Sequence, residues 1–205
     1  MIITQVETPF RLEMPPMIRN LNKKRSSILH FLGVRIIGFK RRMQGSPITI
    51  RLCQPTDLPA LRFLLNPEIF VETSGIRFQT SSFPSFCKWI LTTFPVVYII
   101  DEIDENRQSR IIGFLGLYHM KIGESLWVSL AIFDPKDRRR GYGSQAFELL
   151  LSSLKRNGAA RAICAGVLAA NEPSLSFFRK LGFRVYQENN GMFLLKKVIE
   201  ESLED

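Results

Sequence analysis

One segment, from Leu130 to Ser144, constrains the fold of this 205-residue chain more than any other. Apolar residues ending at Phe133 lead into a basic loop with Arg138, Arg139 and Arg140, and then into Gly141-Tyr142-Gly143-Ser144. The pattern predicts a strand, a loop and a helix that begins at about residue 141. The first amides of a helix lack internal partners and lie at the positive end of its dipole. They would accept a pyrophosphate, and the alternative is a solvated arginine run beside a helix-start glycine.

This glycine pair differs from the common nucleotide-binding loops. No Gly-Lys-Ser/Thr follows it, so it is not a Walker loop. Ala146 stands three residues after Gly143, and the preceding loop is long and cationic, so the GxGxxG pattern is also excluded.

The rest of the chain from residue 47 predicts alternating strands and helices. The pattern indicates strands at 48–52, 96–100, 110–118, 125–133, 162–168, 183–187 and 192–198, and helices at 56–65, 83–93, 141–157 and 173–181. An antiparallel meander followed by a right-handed βαβ crossover gives a fold of the α+β class, or α/β with a mixed sheet.

Composition excludes several classes of protein. The apolar runs are far shorter than the roughly 18 residues of a membrane-spanning helix. Three cysteines and two histidines, in no metal-ligand spacing, support neither disulfides nor a metal site, and reduced thiols indicate a cytoplasmic protein. Residues 47–205 are nearly neutral, with 19 basic and 17 acidic residues, so specific nucleic-acid binding is not expected.

Residues 1–46 differ from the rest and are interpreted as a basic appendage to a domain at 47–205. They hold nine basic and two acidic residues. The apolar stretch 28–39 would form an amphipathic helix that contacts a membrane surface or a partner. Packing against the domain, a mobile tail, and translation that begins at Met43 are the alternatives.

A second segment, Asn171 to Phe183, follows the helix and one further strand. It reads NEPSLSFFRKLGF, a short amphipathic helix that ends at a glycine before a new strand. Together, RRRGYG and this segment resemble the GNAT superfamily of N-acetyltransferases, whose acyl-CoA motif is Q/R-x-x-G-x-G/A. The resemblance covers about 150 residues and implies a central twisted sheet of about seven strands, with helices on both faces.

The resemblance also implies where acetyl-CoA would bind as acyl donor. The fourth and fifth predicted strands would splay apart, with the donor between them. Backbone groups of Ala131, Ile132 and Phe133 would bind the pantetheine. The remaining contacts would come from the basic loop, the helix start and the second segment: Arg138, Arg139, Arg140, Gly141, Tyr142, Gly143, Ser144, Asn171 and Phe178. No metal is implied.

The sequence lacks the titratable residues that act as general acid and general base in some members of the family. A frequent general-acid tyrosine is Phe178 here, and positions where relatives carry a glutamate base are Trp127 and Gly166. The candidates that remain are Glu124, Glu172 and Tyr118, with His119 beside it, and each has a structural alternative as a surface acid or a strand-end pair. At pH 7, about one lysine-like amine in a few thousand is neutral, whereas about one α-amine in ten is neutral. Without a base, the sequence therefore favours an acceptor amine of low pKa.

The acceptor would be determined by residues 66–93, which are rich in aromatics and contain two acids, Glu68 and Glu72. The aromatics Phe70, Phe78, Phe83, Phe86 and Trp89 would form core or line a groove for a bulky, weakly charged amine. The predicted function is acetyl transfer to an amino sugar, an amino-acid conjugate or a peptide or protein N-terminus. The alternative is a non-catalytic acyl-CoA-binding or tethering module.

Overall fold

A computed structural model of the protein describes residues 42–45, 47–65, 82–106 and 108–199. The strands are β1 (Arg42–Gln44), β2 (Ile48–Leu52), β3 (Val96–Ile103), β4 (Ser109–Lys121), β5 (Ser125–Ile132), β6 (Ala162–Leu168), β7 (Arg184–Asn189) and β8 (Met192–Val198). The helices are α1 (Leu58–Leu64), α2 (Phe83–Thr93), α3 (Tyr142–Asn157) and α4 (Glu172–Lys180). Predictions for residues 1–41 and 66–81 lie outside the described residues.

All eight strands form one sheet in the order β1-β2-β3-β4-β5-β6-β8-β7. Strands β1 to β5 are an antiparallel meander, β5 and β6 are parallel, and β8 pairs antiparallel with both β6 and β7. The mixed sheet of the α+β class is confirmed, with one strand more than predicted. The additional strand is β1, which pairs with β2 although the charge pattern assigned its residues to the appendage.

Helices cover both faces of the sheet, as predicted. The face that we call the α3/α4 face packs against Phe147, Leu150 and Leu154 of α3 and Leu175 and Phe178 of α4. The opposite α1/α2 face packs against Leu58 and Leu61 of α1 and Phe86, Ile90 and Phe94, which belong to α2 or directly follow it. The two core clusters follow from the alternation of strand side chains, since neighbouring residues point to opposite faces.

Strand β5 joins the two halves of the sheet only at its beginning. Its first three residues, Ser125, Leu126 and Trp127, pair with Ala162, Ile163 and Cys164 of β6. From Val128 to Ile132 it still pairs with β4, but no longer with β6. The predicted splay between these two strands is therefore confirmed, and it begins after Trp127.

Helix positions agree with the local sequence signals. Ser82 caps α2, because its hydroxyl oxygen accepts a hydrogen bond from the amide of Ser85 at 3.4 Å. Helix α3 ends at Gly158, whose φ of 56° is in the left-handed region that glycine adopts without strain. Within the described residues, no helix is long and apolar enough to cross a membrane.

Candidate functional site

The opening between β5 and β6 exposes backbone hydrogen-bonding groups of β5. The amide of Phe133 donates to the carbonyl of Ile112 on β4 at 2.9 Å. Because backbone groups alternate in direction along a strand, every second residue counted back from Phe133 also faces β4. The N–H and C=O groups of Val128, Leu130 and Ile132 therefore face β6, and the parallel pairing of Trp127 with Cys164 uses the amide of Val128. The carbonyl of Val128 and the backbone groups of Leu130 and Ile132 face the opening, where β6 no longer supplies partners.

Strand β6 contributes the opposite wall. Its edge toward β8 is fixed by the hydrogen bond from the amide of Ala169 to the carbonyl of Gly191 at 2.8 Å. By the same alternation, Gly166 and Leu168 direct their backbone groups into the opening. The carbonyl of Leu168 accepts from the amide of Asn171 at 2.9 Å, so the turn into α4 closes this wall.

The strand residues predicted to bind the pantetheine divide into two groups. Ile132 faces the opening, whereas the amide of Phe133 is used within the sheet and the carbonyl of Ala131 lies against Gly113 of β4. Of the neighbouring residues, Leu130 directs both backbone groups into the opening and Val128 directs its carbonyl there. The two possible sets of β5 residues that face the opening differ by a shift of one position. Only the register of β4 against β5 distinguishes them.

The carbonyls at the end of β5 are covered by the basic loop. The guanidinium of Arg138 donates from Nε to the carbonyl of Ile132 at 3.1 Å and from Nη2 to that of Phe133 at 3.3 Å. This side chain therefore stands between the opening and the start of α3. It is exposed, as is Arg139, and both can turn toward an anion at the helix start.

The first turn of α3 has the free backbone amides that an anion site requires. Gly141 is its N-cap, with a φ of 85°, and no side chain caps the helix there. The amides of Tyr142, Gly143 and Ser144 consequently have no intrahelical partner. A Cβ on Gly143 would lie 3.3 Å from side-chain atoms of both Leu130 and Phe177, so glycine at this position permits α3 to pack closely on β5 and α4.

An ion-pair cluster fixes the loop that precedes α3. Arg110 on β4 donates from Nη1 to Oδ2 of Asp137 at 2.7 Å and from Nη2 to Oδ1 at 3.0 Å, and the Asp137 side chain is 1% exposed. Arg110 and the Tyr142 hydroxyl also donate to Glu102 on β3. The guanidinium of Arg140 lies 3.5 Å from Glu102, 3.6 Å from Asp137 and 4.8 Å above the Tyr142 ring.

This cluster changes the roles of two predicted cofactor contacts. The ring of Tyr142 is buried and its hydroxyl is bonded to Glu102, so only its backbone amide faces the helix start. Together with Arg110, Arg140 balances the charges of Glu102 and Asp137. Arg138 and Arg139 are then the arginines of this loop that can bind an anion. Hydrogen bonding to Arg110 lowers the pKa of Asp137, and hydrogen bonds from Tyr142 and Arg110 lower that of Glu102, so both carboxylates stay charged.

Sequence reasoning missed Glu102 and Arg110. They lie 35 and 27 positions before Asp137, on strands, and nothing in their local sequence distinguishes them from other surface charges. The pairing of β3 with β4 places Glu102 opposite Arg110. That pairing is the only signal that would have joined them to the loop.

Aromatic side chains gather where the opening closes. Tyr118, Trp127 and Cys164 are register partners across β4, β5 and β6, so their side chains share the α1/α2 face. The Tyr118 ring lies 6.0 Å from that of Trp127 and 5.2 Å from that of His119. Burial raises the pKa of Tyr118 and Cys164, so the phenol and the thiol are neutral at pH 7.

The predicted catalytic groups do not come together. Tyr118 lies at the vertex of the opening, whereas Glu124 precedes β5 at its closed end and is exposed. Glu172, in the first turn of α4, forms an ion pair with Arg179 at 3.5 Å and its side chain is 71% exposed. A Cβ on Gly166 would lie 3.8 Å from the Trp127 ring, so the two positions that hold a base in relatives do meet, but neither residue titrates.

Two predicted contacts near α4 have structural roles. The side-chain oxygen of Asn171 accepts from the amide of Ser174 at 3.1 Å and caps the helix. Phe178 is buried against Phe183 in the α3/α4 core, with ring centroids 5.0 Å apart. In the segment predicted to bind the acceptor, Phe86 belongs to the core, Trp89 packs at its edge and Phe83 is partly exposed.

The arrangement fits an acyl-CoA. A polar, extended pantetheine needs strand-edge donors and acceptors, and a pyrophosphate needs free amides and cations; the opening and the α3 start supply these in sequence along the chain. Among the described residues, no group of three or more histidine, cysteine or acidic side chains could hold a metal ion.

Residues 59–183 match the acetyltransferase (GNAT) family. A probable acetyltransferase of this family from Chromobacterium violaceum superposes with a TM-score of 0.65 at 19% identity, over 80% of this chain and 88% of that one. No curated protein matches the chain.

Two further solved structures have known acceptors. An acetyltransferase from Salmonella typhimurium that modifies the N-terminal serine of a 50S ribosomal subunit protein has a TM-score of 0.64 at 16% identity, over 78% of this chain and 99% of that one. Spermidine N-acetyltransferase from Vibrio cholerae, in complex with CoA and spermine, has a TM-score of 0.63 at 15% identity, over 78% and 100%. At these identities the likeness shows the fold.

Proposed function

Because the chain belongs to the GNAT acetyltransferase family and is thus an acetyltransferase, we propose that it transfers acetyl from acetyl-CoA to a primary amine. The observation that carries the proposal is the opening that begins after Trp127, into which Leu130 on one wall and Gly166 on the other direct their backbone groups. We infer three acceptor classes from the aromatic composition of residues 66–93 and from the residues Trp127 and Gly166, which cannot act as a base: an amino sugar, an amino-acid conjugate and a peptide or protein N-terminus.

In this proposal the acyl donor lies along β5. Backbone groups of Val128, Leu130 and Ile132 bind the pantetheine, and the amides of residues 142–144 bind the pyrophosphate together with Arg138 and Arg139. The two arginines supply positive charge without a fixed position, whereas the amides are held in place by the Arg110 cluster. Preformed donors of this kind bind without the cost of ordering a loop.

The reaction is direct attack by the neutral amine on the thioester carbonyl. A C–N bond forms, the C–S bond breaks, the nitrogen loses a proton to water and the CoA thiolate gains one. Backbone N–H groups in the opening stabilise the oxyanion, because they are fixed where negative charge develops. Tyr118, at the vertex, is the group that we propose as proton donor to the thiolate, and its phenolate then regains a proton from water.

Positioning supplies most of the catalysis in this account. Holding two reactants in the correct geometry removes a large part of the barrier without any titratable group. The acceptor must then arrive with a usable fraction of neutral amine, which favours α-amines with a pKa near 8 over lysine-like amines. The residues Trp127 and Gly166 support this requirement, since neither can act as a base.

A second candidate function is acyl-CoA binding without catalysis. It is favoured by one observation, the replacement of titratable groups by Trp127, Gly166 and the buried Phe178. Calorimetry with acetyl-CoA and release of free CoA thiol in the presence of a panel of amines separate the two. Binding with thiol release on at least one amine supports the transferase, and binding with no release on any amine supports the module.

A further inference from the structure

The α1/α2 face carries two basic side chains beside the vertex of the opening. Lys196 on β8 is the register partner of Cys164, and Arg184 on β7 is the partner of Lys196. Since neighbouring strands are about 4.8 Å apart, Lys196 and Arg184 stand roughly 5 and 10 Å from Cys164 along one row. We call Lys196 and Arg184 the cationic pair.

Among the strand residues that the structure describes on that face, no acid balances the cationic pair. By the strand registers, none of the residues in β4 to β8 that share this face is aspartate or glutamate. The acid of β7, Glu188, pairs with Phe193, whose side chain packs against the opposite α3/α4 core. The described strands therefore give the α1/α2 face a positive charge beside the vertex.

The cationic pair is also accessible. Helices α1 and α2 cover this face over β2, β3 and β4, and among the described residues none of β6, β7 or β8 belongs to the core cluster beneath them. Both Lys196 and Arg184 are exposed. The electrostatic effect of Lys196 reaches the vertex, because its charge acts to lower the pKa of the Cys164 thiol against the larger effect of burial.

We propose that the acceptor is an amine that carries a carboxylate, and that Lys196 and Arg184 bind this carboxylate while the amine lies at the vertex. The proposal rests on the acetyl transfer proposed above. An arginine fork binds a carboxylate through two charge-assisted hydrogen bonds, and a lysine adds a point charge. The spacing of the pair from Cys164 suits an amino acid or a peptide N-terminus with an acidic side chain near it.

The same charges explain how the site works without a base. A positive charge near an ammonium group disfavours its protonated form and lowers its pKa, which raises the neutral fraction of the nucleophile. A polyamine would instead bring further positive charge to a positive face and bind poorly. The same positive charges would therefore select an amine that carries a carboxylate and raise the neutral fraction of that amine.

The test compares matched acceptors on the full-length protein. Thiol release from acetyl-CoA is measured with the amidated tetrapeptides Ser-Asp-Glu-Ala and Ser-Asn-Gln-Ala, with glutamate and glutaminamide, and with spermidine. We expect kcat/KM to be at least roughly tenfold higher for each acidic acceptor than for its neutral counterpart, and lowest for spermidine, which corresponds to about 1.4 kcal/mol or more. The peptide and amino-acid arms show which source of carboxylate is preferred.

Variants then assign the preference to residues. Lys196→Ala and Arg184→Ala should each raise KM for the acidic peptide roughly tenfold, with little change in kcat and no change for the neutral peptide. Lys155→Ala, which removes an exposed cation from the last turn of α3, is the matched control and should leave both peptides unaffected. Calorimetry of acetyl-CoA binding confirms that each variant is folded and still binds the donor.

Three results would overturn the inference. Equal rates for acidic and neutral acceptors, or a preference for spermidine, would refute it while leaving the transferase assignment intact. An acidic preference that both cationic-pair variants retain would show that other residues select the acceptor. Release of no thiol with any amine, despite acetyl-CoA binding, would refute the transferase assignment and this inference with it.

Discussion

Replacing Arg110 by alanine should destabilise the protein and weaken its binding of acetyl-CoA. The change removes both hydrogen bonds to Asp137, at 2.7 and 3.0 Å, and leaves a carboxylate that is 1% exposed without its main counter-charge. Breaking a buried ion pair costs about 3 to 5 kcal/mol. Because the Arg110 side chain is itself 48% exposed and Arg140 remains nearby, the lower end, about 3 kcal/mol, is expected.

A loss of this size is readily measured. For a chain of this length it lowers the melting temperature by about 6 to 12 °C. The loop before α3 loses its link to β4, so the affinity for acetyl-CoA should also fall, roughly tenfold, which corresponds to about 1.4 kcal/mol. Differential scanning calorimetry gives the first quantity, and titration calorimetry with acetyl-CoA below the melting range gives the second.

Two comparisons make the prediction specific. Arg110→Lys keeps the charge but loses the two-pronged geometry, so it should fall between wild type and Arg110→Ala. Lys136→Ala breaks the exposed pair with Asp134 in the same loop, at 3.0 Å with side chains 71% and 42% exposed, and should leave melting unchanged. If Arg110→Ala melts like Lys136→Ala, the cluster does not fix the loop and the reasoning is refuted.

Four further predictions follow from the structure. Gly113→Ala should destabilise by about 3 kcal/mol in urea titration, since its Cβ would lie 2.4 Å from the carbonyl oxygen of Ala131, and unchanged stability would contradict the close approach of β4 and β5. The lowered pKa values of Asp137 and Glu102 mean that the folded state binds fewer protons than the unfolded state. The contribution of these carboxylates to the free energy of unfolding is therefore complete above their unfolded pKa near 4, and it is lost as the pH falls through their lower pKa values in the folded state. The stability difference between wild type and Arg110→Ala should consequently shrink below about pH 4 in an acid titration. Gly141→Val places a β-branched residue at a φ of 85° and should weaken acetyl-CoA binding at least roughly tenfold by calorimetry, whereas Gly158→Val, also at a left-handed glycine but at the far end of α3, should cost stability and leave affinity unchanged. Tyr118→Phe should lower kcat for thiol release roughly tenfold with little change in KM, and an unchanged kcat would leave protonation of the thiolate to water.

The sequence was sufficient for the order of the elements and for the start of α3. Alternation in residues 125–132 and the Arg-Arg-Arg-Gly-Tyr-Gly run are local signals, and the structure places both where local reasoning expected them. Strand β1 was missed because three residues are too few to show alternation, and its basic neighbours indicated a tail.

The site itself depends on pairings that local patterns do not contain. Which β5 residues face the opening is decided by the register with β4, and a shift of one residue exchanges the two sets. The Arg110–Asp137 pair joins positions 27 apart, and the cationic pair of Lys196 and Arg184 becomes a unit only through β8 and β7. Gly143 was expected to make room for a phosphate, yet it also makes room for Leu130 and Phe177.

Hydrogen exchange of backbone amides tests the central claim, that β5 and the start of α3 bind the acyl donor through the main chain. We predict that acetyl-CoA slows exchange at Leu130, Ile132 and residues 142–144, and leaves the β4-facing amide of Phe133, already protected in the sheet, unchanged. Donor binding that protects a different part of the chain, with these amides exchanging as fast as in the free protein, would contradict the account.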